Sequence, residues 1–242
     1  MPNPTHPNQG DLVLEKLRNL PLPYAYTLPF VAYLVSTIFI SRFSEQVYPI
    51  AYGIVAALVA LLTWGLLRGR GLFKPHWRVA PGVVVGLVGI GMWIVLCQLH
   101  LEKSLASFLP TFLQPGDRVS YNPFEELTPM MTAVFIAVRL FGIAVLVPIA
   151  EELFWRGFLL RWLIDVEWQK VRLGEFTWQS FGIVTLMFTA AHPEWFAAAT
   201  YCVLINGLLY WKKDLWQCIV AHAVSNFVLV IYVLLSKEWW LW

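Results

Sequence analysis

Charge is the scarcest commodity in this chain. Asp, Glu, Lys and Arg make up 13% of its 242 residues, against 59% hydrophobic residues, and the net charge is only +2. No Lys/Arg block is long enough to form a nucleic-acid-binding tail, which excludes that class of partner. Cysteine is equally sparse. Cys97, Cys202 and Cys218 are odd in number, lie in apolar stretches and lack metal spacing such as C-x-x-C, so they read as buried small hydrophobes rather than a disulfide framework. The first twenty residues carry Asp11, Glu15, Lys16 and Arg18 and no apolar core with a cleavage site, so no signal peptide is expected. H-E-x-x-H, glycine-rich phosphate loops and G-x-S-x-G elbows are all missing. No internal repeat is visible.

What is present is hydrophobic length. The mean hydropathy is +0.64 and there are thirteen tryptophans, values outside those of soluble domains. A span needs about 20 apolar residues to cross ~30 Å of hydrocarbon. Spans are expected near 24–41, 47–67, 81–99, 130–150, 179–193, 196–211 and 216–235, the fifth and sixth being short enough to form a tight helical hairpin or contain a break. The expected fold is an all-α polytopic transmembrane bundle of about seven to eight helices, with an amphipathic arm over 1–23 and a single helical domain over 24–242. The stretch 11–20 reads as a short helix on the membrane surface or as a terminal arm. Arg68, Arg70, Lys74 and Arg78 fill one loop, Arg161, Lys170 and Arg172 another, and Lys212 and Lys213 a third. The opposite loops carry only Arg42, Lys103, Arg118 and Lys237, so the amino terminus is expected to face the cytoplasm. The polar loop 100–129 would then face outward. The end Trp239-Trp240-Leu241-Trp242 reads as an interfacial anchor.

Against this background a few polar positions require a reason. Glu151 and Glu152 continue the apolar run MTAVFIAVRLFGIAVLVPIA, and Arg156 follows. An ionisable group at membrane depth costs at least ~2.5 kcal/mol and usually marks a functional or paired site. Residues four apart share a helix face, which pairs Glu152 with Arg156, Phe188 with His192, and His222 with Asn226. Glu151 points elsewhere and is left free to face the interior, where a general base would act. At 1.5 Å rise per residue, Glu151 and His192 each lie ~20 Å from the expected cytoplasmic ends of their helices, and His222 and Asn226 ~10–16 Å, so three spans bring polar groups to overlapping depths. Pro148 is expected to kink the helix just before Glu151 and open room for water.

Each element also has a plain reading. Glu151, Glu152 and Arg156 could form a buried ion-pair lock, His192 could be satisfied by a backbone carbonyl, and His222 and Asn226 could hydrogen-bond across helices. Arg139 is expected to pair with an acidic group or a helix end. Glu125-Glu126, with Met130 where Arg would stand, reads as a solvated loop pair.

In order, E-E-x-x-x-R (Glu151, Glu152, Arg156), F-x-x-x-H (Phe188, His192) and H-x-x-x-N (His222, Asn226) resemble the pattern of the CPBP family of membrane-embedded endopeptidases, related to type II CAAX prenyl protease. The resemblance covers roughly 130–230. Length and the leading spans look like the CAAX-protease-related proteins found beside exosortase systems, which implies a bacterial cytoplasmic membrane. The resemblance implies peptide hydrolysis within the bilayer. Glu151 assisted by His192 would activate water, His222 and Asn226 would hydrogen-bond the oxyanion, and Glu152 and Arg156 would hold the geometry. The implied substrate is a membrane-anchored or lipid-modified peptide. Glu151, His192 and His222 could alternatively supply three zinc ligands with an open fourth position. The metal-free reading is preferred, with no cofactor, because Asn226 is a poor zinc ligand and a good oxyanion donor. Two other functions compete: a non-proteolytic peptide-binding or immunity module using the same cavity, and a small proton-coupled transporter, disfavoured by the lack of an inverted repeat.

Overall fold

The computed structural model describes residues 9–106, 108, 110, 114 and 120–242. Arg118, assigned above to the outer loop, the side chain of Lys103 and the first eight residues of the arm lie outside the described residues. The elements are α1 (Gln9–Asn19), α2 (Leu22–Ile40), α3 (Tyr48–Leu67), α4 (Ala80–Gln98), the short α5 (Leu101–Ala106) and α6 (Pro123–Glu126), α7 (Pro129–Trp162), α8 (Trp178–Ala190), α9 (Trp195–Lys212) and α10 (Leu215–Ser236). Among the described residues there is no strand. The protein is a multi-pass integral membrane protein built as an all-α bundle.

Among the described residues, five helices are long and apolar enough to cross a membrane: α2, α3, α4, α7 and α10. The two short stretches expected at 179–193 and 196–211 form the tight helical hairpin that was one of their two expected forms. At thirteen residues α8 extends only about 20 Å, and it hands over to α9 through the turn at 191–194. α9 is the most enclosed helix, with Ala197, Ala198, Cys202, Ile205 and Asn206 all at 1% exposure or less. The fourth expected span also runs further than 150. α7 continues for 34 residues to Trp162, interrupted by π-helical segments at Gly142–Leu146 and Leu153–Leu159 that flank the double glutamate.

Small residues set the closest contacts. On α4, Gly82 and Gly86 meet α10 so tightly that a Cβ would lie 2.6 Å from the Gln217 carbonyl oxygen and 2.5 Å from that of Ala221. Gly89 meets the Tyr201 ring of α9 in the same way. Backbones can approach like this only where a side chain is missing, and that packing replaces the hydrophobic drive that lipid does not supply between helices. The Ser225 hydroxyl fastens the seam by donating to the Gly86 or Ala221 carbonyl, each at 2.9 Å.

The loops rich in Lys and Arg converge on one end of the bundle. There Arg70 donates to the carbonyls of Leu17, Arg18 and Leu20, satisfying the last turn of α1 and docking it on α3. His76 meets Asp214 at 2.7 Å, Phe73 stacks on Trp216, and Arg161 lies over the Trp168 ring. The opposite end is aromatic. The terminal tryptophans differ from the anchor expected of them: Trp239 and Trp242 are buried, and the Trp242 indole donates to the Tyr121 carbonyl at 3.3 Å. They close the bundle because Phe135, Tyr121 and Tyr48 offer a larger apolar surface there than the headgroup layer does. Glu125 and Glu126 are exposed in α6.

Candidate active site

Pro148 explains the local shape of α7. In the π segment each N–H bonds five residues back, as Val147 N–H does to Gly142 O. The next bond in that register would run from residue 148 to the Ile143 carbonyl, and proline has no N–H to make it. The Ile143 oxygen is left over, and Asn226 of α10 satisfies it by donating from Nδ2 at 2.8 Å. The expected break at Pro148 is therefore a π segment, and it is the feature that draws Asn226 onto α7.

Glu152 and Arg156 are fully buried and pair at 3.2 Å. The same Glu152 Oε1 accepts from His222 Nδ1 at 2.8 Å. Arg156 directs its remaining donors to Asn206 Oδ1 at 3.0 Å and to Cys202 Sγ at 3.4 Å, and lies over the Phe188 ring at 5.0 Å. Burying an ion pair costs least when its other lone pairs and protons are also met; each nitrogen of Arg156 finds a partner, whereas Glu152 Oε2 makes no hydrogen bond. Here four helices contribute: α7, α8, α9 and α10.

Glu151, one residue earlier, points away from that network. Its Oε2 is buried and makes no hydrogen bond. It lines a cavity of about 200 Å³ together with His192, His222 and Asn226. His192 lies just beyond the end of α8, where its Nδ1 meets the Phe188 carbonyl at 2.8 Å and its ring stacks on that of Phe188. A carbonyl only accepts, so Nδ1 carries the proton and Nε2 is the acceptor nitrogen of the neutral ring. Trp93 packs edge-on against the same imidazole. The backbone-carbonyl contact proposed for His192 on plain structural grounds thus exists and orients a ring that lines the cavity.

Of the six residues singled out in the sequence, four line one cavity and two, Glu152 and Arg156, form the buried support behind it. Asn206 was missed, although an amide in an otherwise apolar helix is the same kind of signal that flagged Asn226. Cys202 was read as a plain hydrophobe, yet its sulfur contacts Arg156. Tyr201 and Ser225 also line the cavity, linked by a 2.7 Å hydrogen bond that no spacing rule predicts. Arg139 differs from expectation. Among the described residues its hydrogen bond goes to the Tyr48 hydroxyl at 2.6 Å and no carboxylate pairs with it.

Zinc was the alternative use of Glu151, His192 and His222. Among the described residues no group of three His, Cys, Asp or Glu side chains is placed to hold a metal ion.

Residues 133–228 match the family model described as type II CAAX prenyl endopeptidase Rce1-like. No curated protein and no solved structure matches the chain. The matched segment runs from within α7 to within α10 and contains every cavity-lining and supporting residue named from the sequence. Over that segment the chain is similar to the Rce1-like CAAX prenyl endopeptidases of the CPBP group, a similarity that marks it as an intramembrane protease.

Proposed function

We propose that this protease hydrolyses membrane-anchored peptides with Glu151 as general base and His192 as its partner at the attacking water. The observation that carries this reading is the convergence of Glu151, His192, His222 and Asn226 on one cavity, with the Glu151 Oε2 unpartnered. A carboxylate oxygen in that condition has a lone pair for a proton. Water held between Glu151 and His192 Nε2 attacks the scissile carbonyl carbon, and its proton passes to Glu151. The tetrahedral oxyanion accepts from the second Nδ2 hydrogen of Asn226, the first being engaged by Ile143. It also accepts from His222 Nε2–H, which requires the doubly protonated ring because Nδ1–H is given to Glu152. Collapse breaks the C–N bond, and the proton on Glu151 moves to the leaving amine. An oxyanion donor of this kind is worth ~3–4 kcal/mol.

The end of the bundle carrying the Lys/Arg loops is read as cytoplasmic, by the usual enrichment of short cytoplasmic loops in these residues. The test is cleavage of a quenched library of membrane-anchored peptides in liposomes. Glu151→Gln and His192→Ala should each lose activity with melting behaviour preserved. Activity persisting in Glu151→Gln would overturn the assignment. Substrate capture without cleavage by wild type would instead support the non-proteolytic binding module. One tightly held, activity-restoring zinc per purified chain would replace the metal-free chemistry.

A further inference from the structure

The cavity that holds Glu151 lies to one side of it. On α7 the lining residues are Arg139, Ile143, Val147 and Glu151, four apart and so on one face, and among the described residues none from 152 to 162 joins them. On α10 the lining runs from His222 through Asn226 to Val230, with none from 215 to 221. On α4 it takes Ile90 and Trp93, both in the second half of that helix. α7 starts at the aromatic end, whereas α4 and α10 finish there, joined by the bond from Gln98 to Glu238. All three helices therefore place the cavity between Glu151 and the aromatic end. Distance alone would favour the opposite way in, since about 17 Å of helix separates Glu151 from Trp162 at the basic end and about 33 Å separates it from Pro129. The short way is closed. Leu153, Arg156, Val184 and Cys218 are each 0% exposed there, and a passage would have to part the Glu152–Arg156 pair. The flank toward the aromatic end is not sealed: Tyr33, Trp93, Ile143, His192, Asn226 and Leu229 each keep partial exposure.

We propose that the peptide reaches Glu151 from the aromatic-end side of the bilayer, which the Lys/Arg loops read as the side away from the cytoplasm. This rests on the peptidase reading above and adds to it the class of substrate: a membrane-anchored peptide whose scissile segment already lies on the far side of the membrane. Entry through the basic-end layer would strand the peptide's N–H and C=O groups among apolar side chains, with no water to satisfy them. The cavity, by contrast, offers an extended segment polar partners along its wall in Tyr201, Ser225 and Asn226. A translocation or insertion step must then supply the substrate, and a peptide confined to the cytoplasmic leaflet is not cut.

The test uses the full chain in bacterial cells and in inverted vesicles made from them. Leu229→Cys puts a thiol on the cavity lining without touching the groups assigned to the reaction. Phe227→Cys, at a position 48% exposed and outside the lining, puts one at nearly the same depth on the outer surface of the same helix. The probe is a small, cationic, membrane-impermeant methanethiosulfonate, and the readout is loss of the free thiol. Leu229→Cys should lose its thiol in intact cells, together with Glu125→Cys, and keep it in inverted vesicles, where Trp77→Cys reacts instead. Phe227→Cys should keep its thiol in both. Should Leu229→Cys fail to fold, Ile90→Cys on α4 carries the same test. Reaction of the lining thiol from the Trp77 side, from neither side, or no faster than Phe227→Cys overturns the proposal. So does Glu125→Cys reacting only in inverted vesicles. None of these readouts depends on cleavage. If the lining thiol reacts from the Glu125 side but wild type cuts no peptide of the quenched library, the route stands and the catalytic assignment falls.

Discussion

Glu152 shows how one carboxylate can serve both packing and chemistry. It is fully buried and its Oε1 meets both Arg156 and His222, so its loss would strand a guanidinium and release an imidazole together. Truncating one partner of a buried pair costs about 3–5 kcal/mol, far more than the pair itself contributes. Glu152→Ala and Arg156→Ala should each lower the melting temperature in detergent sharply, and the double substitution should lose clearly less than their sum. Additive losses would show that the two groups do not act as a pair. Asn206→Ala should act in the same direction but less, by about 1–3 kcal/mol, because it leaves one Arg156 donor unmet. The pairing of Glu152 with Arg156 was legible from spacing, since four residues bring both to one face. The bond to His222 was not, because 70 residues separate the partners and only the packing of α10 against α7 joins them.

α7 holds its site by the bonds it fails to make. Pro148→Ala supplies the missing N–H at position 148, which can then serve the Ile143 carbonyl and release Asn226. We expect a protein of equal or greater melting temperature whose kcat falls while KM changes little, as suits loss of a positioned oxyanion donor. An unchanged kcat would mean that the Ile143 contact does not position Asn226 for the reaction. On α4, Gly86→Val pushes a side chain against the Ala221 carbonyl and the Val224 side chain, contacts that backbone and packed neighbours cannot easily relieve. The expected cost is about 1–3 kcal/mol in melting stability. A break at Pro148 was readable in the sequence. Its form was not, since a kinked α-helix and a π segment begin from the same residue and differ in whether a neighbouring helix offers a donor.

The bundle as a whole has two unlike ends, one of basic loops and one of buried aromatic rings, and this polarity makes its orientation measurable. Cys97, Cys202 and Cys218 are all buried, so the background to surface thiol labelling is low. Trp77 is 99% exposed in the basic loop, and Glu125 is exposed at the aromatic end. In intact bacterial cells a membrane-impermeant maleimide should label Glu125→Cys and spare Trp77→Cys, with the reverse in inverted vesicles. The opposite pattern would invert the topology read from the Lys/Arg loops. Composition made the membrane class plain, and span lengths placed α2, α3, α4 and α10 within a few residues. The hairpin of α8 and α9 was harder to classify because its enclosure comes from neighbours, not from its own length. The tryptophan-rich end was misread for a related reason: indole suits both the headgroup layer and an aromatic core, and the Phe135 and Tyr121 surfaces that decide between them lie about a hundred residues away in the chain.

The π segment at Gly142–Leu146 also carries slack in chain length. A π turn accommodates one residue more than an α turn, so removing a single residue from this segment would let the helix close into regular α geometry. The length of the helix would hardly change, and the turns on either side would keep their phase, so Glu151 would still face the cavity. The same deletion within the regular turns of Pro129–Phe141 has no such slack: it would shorten the helix and turn every later side chain by about 100° relative to the residues before it. The segment is thus the one place on this helix where chain length and the direction of Glu151 are uncoupled.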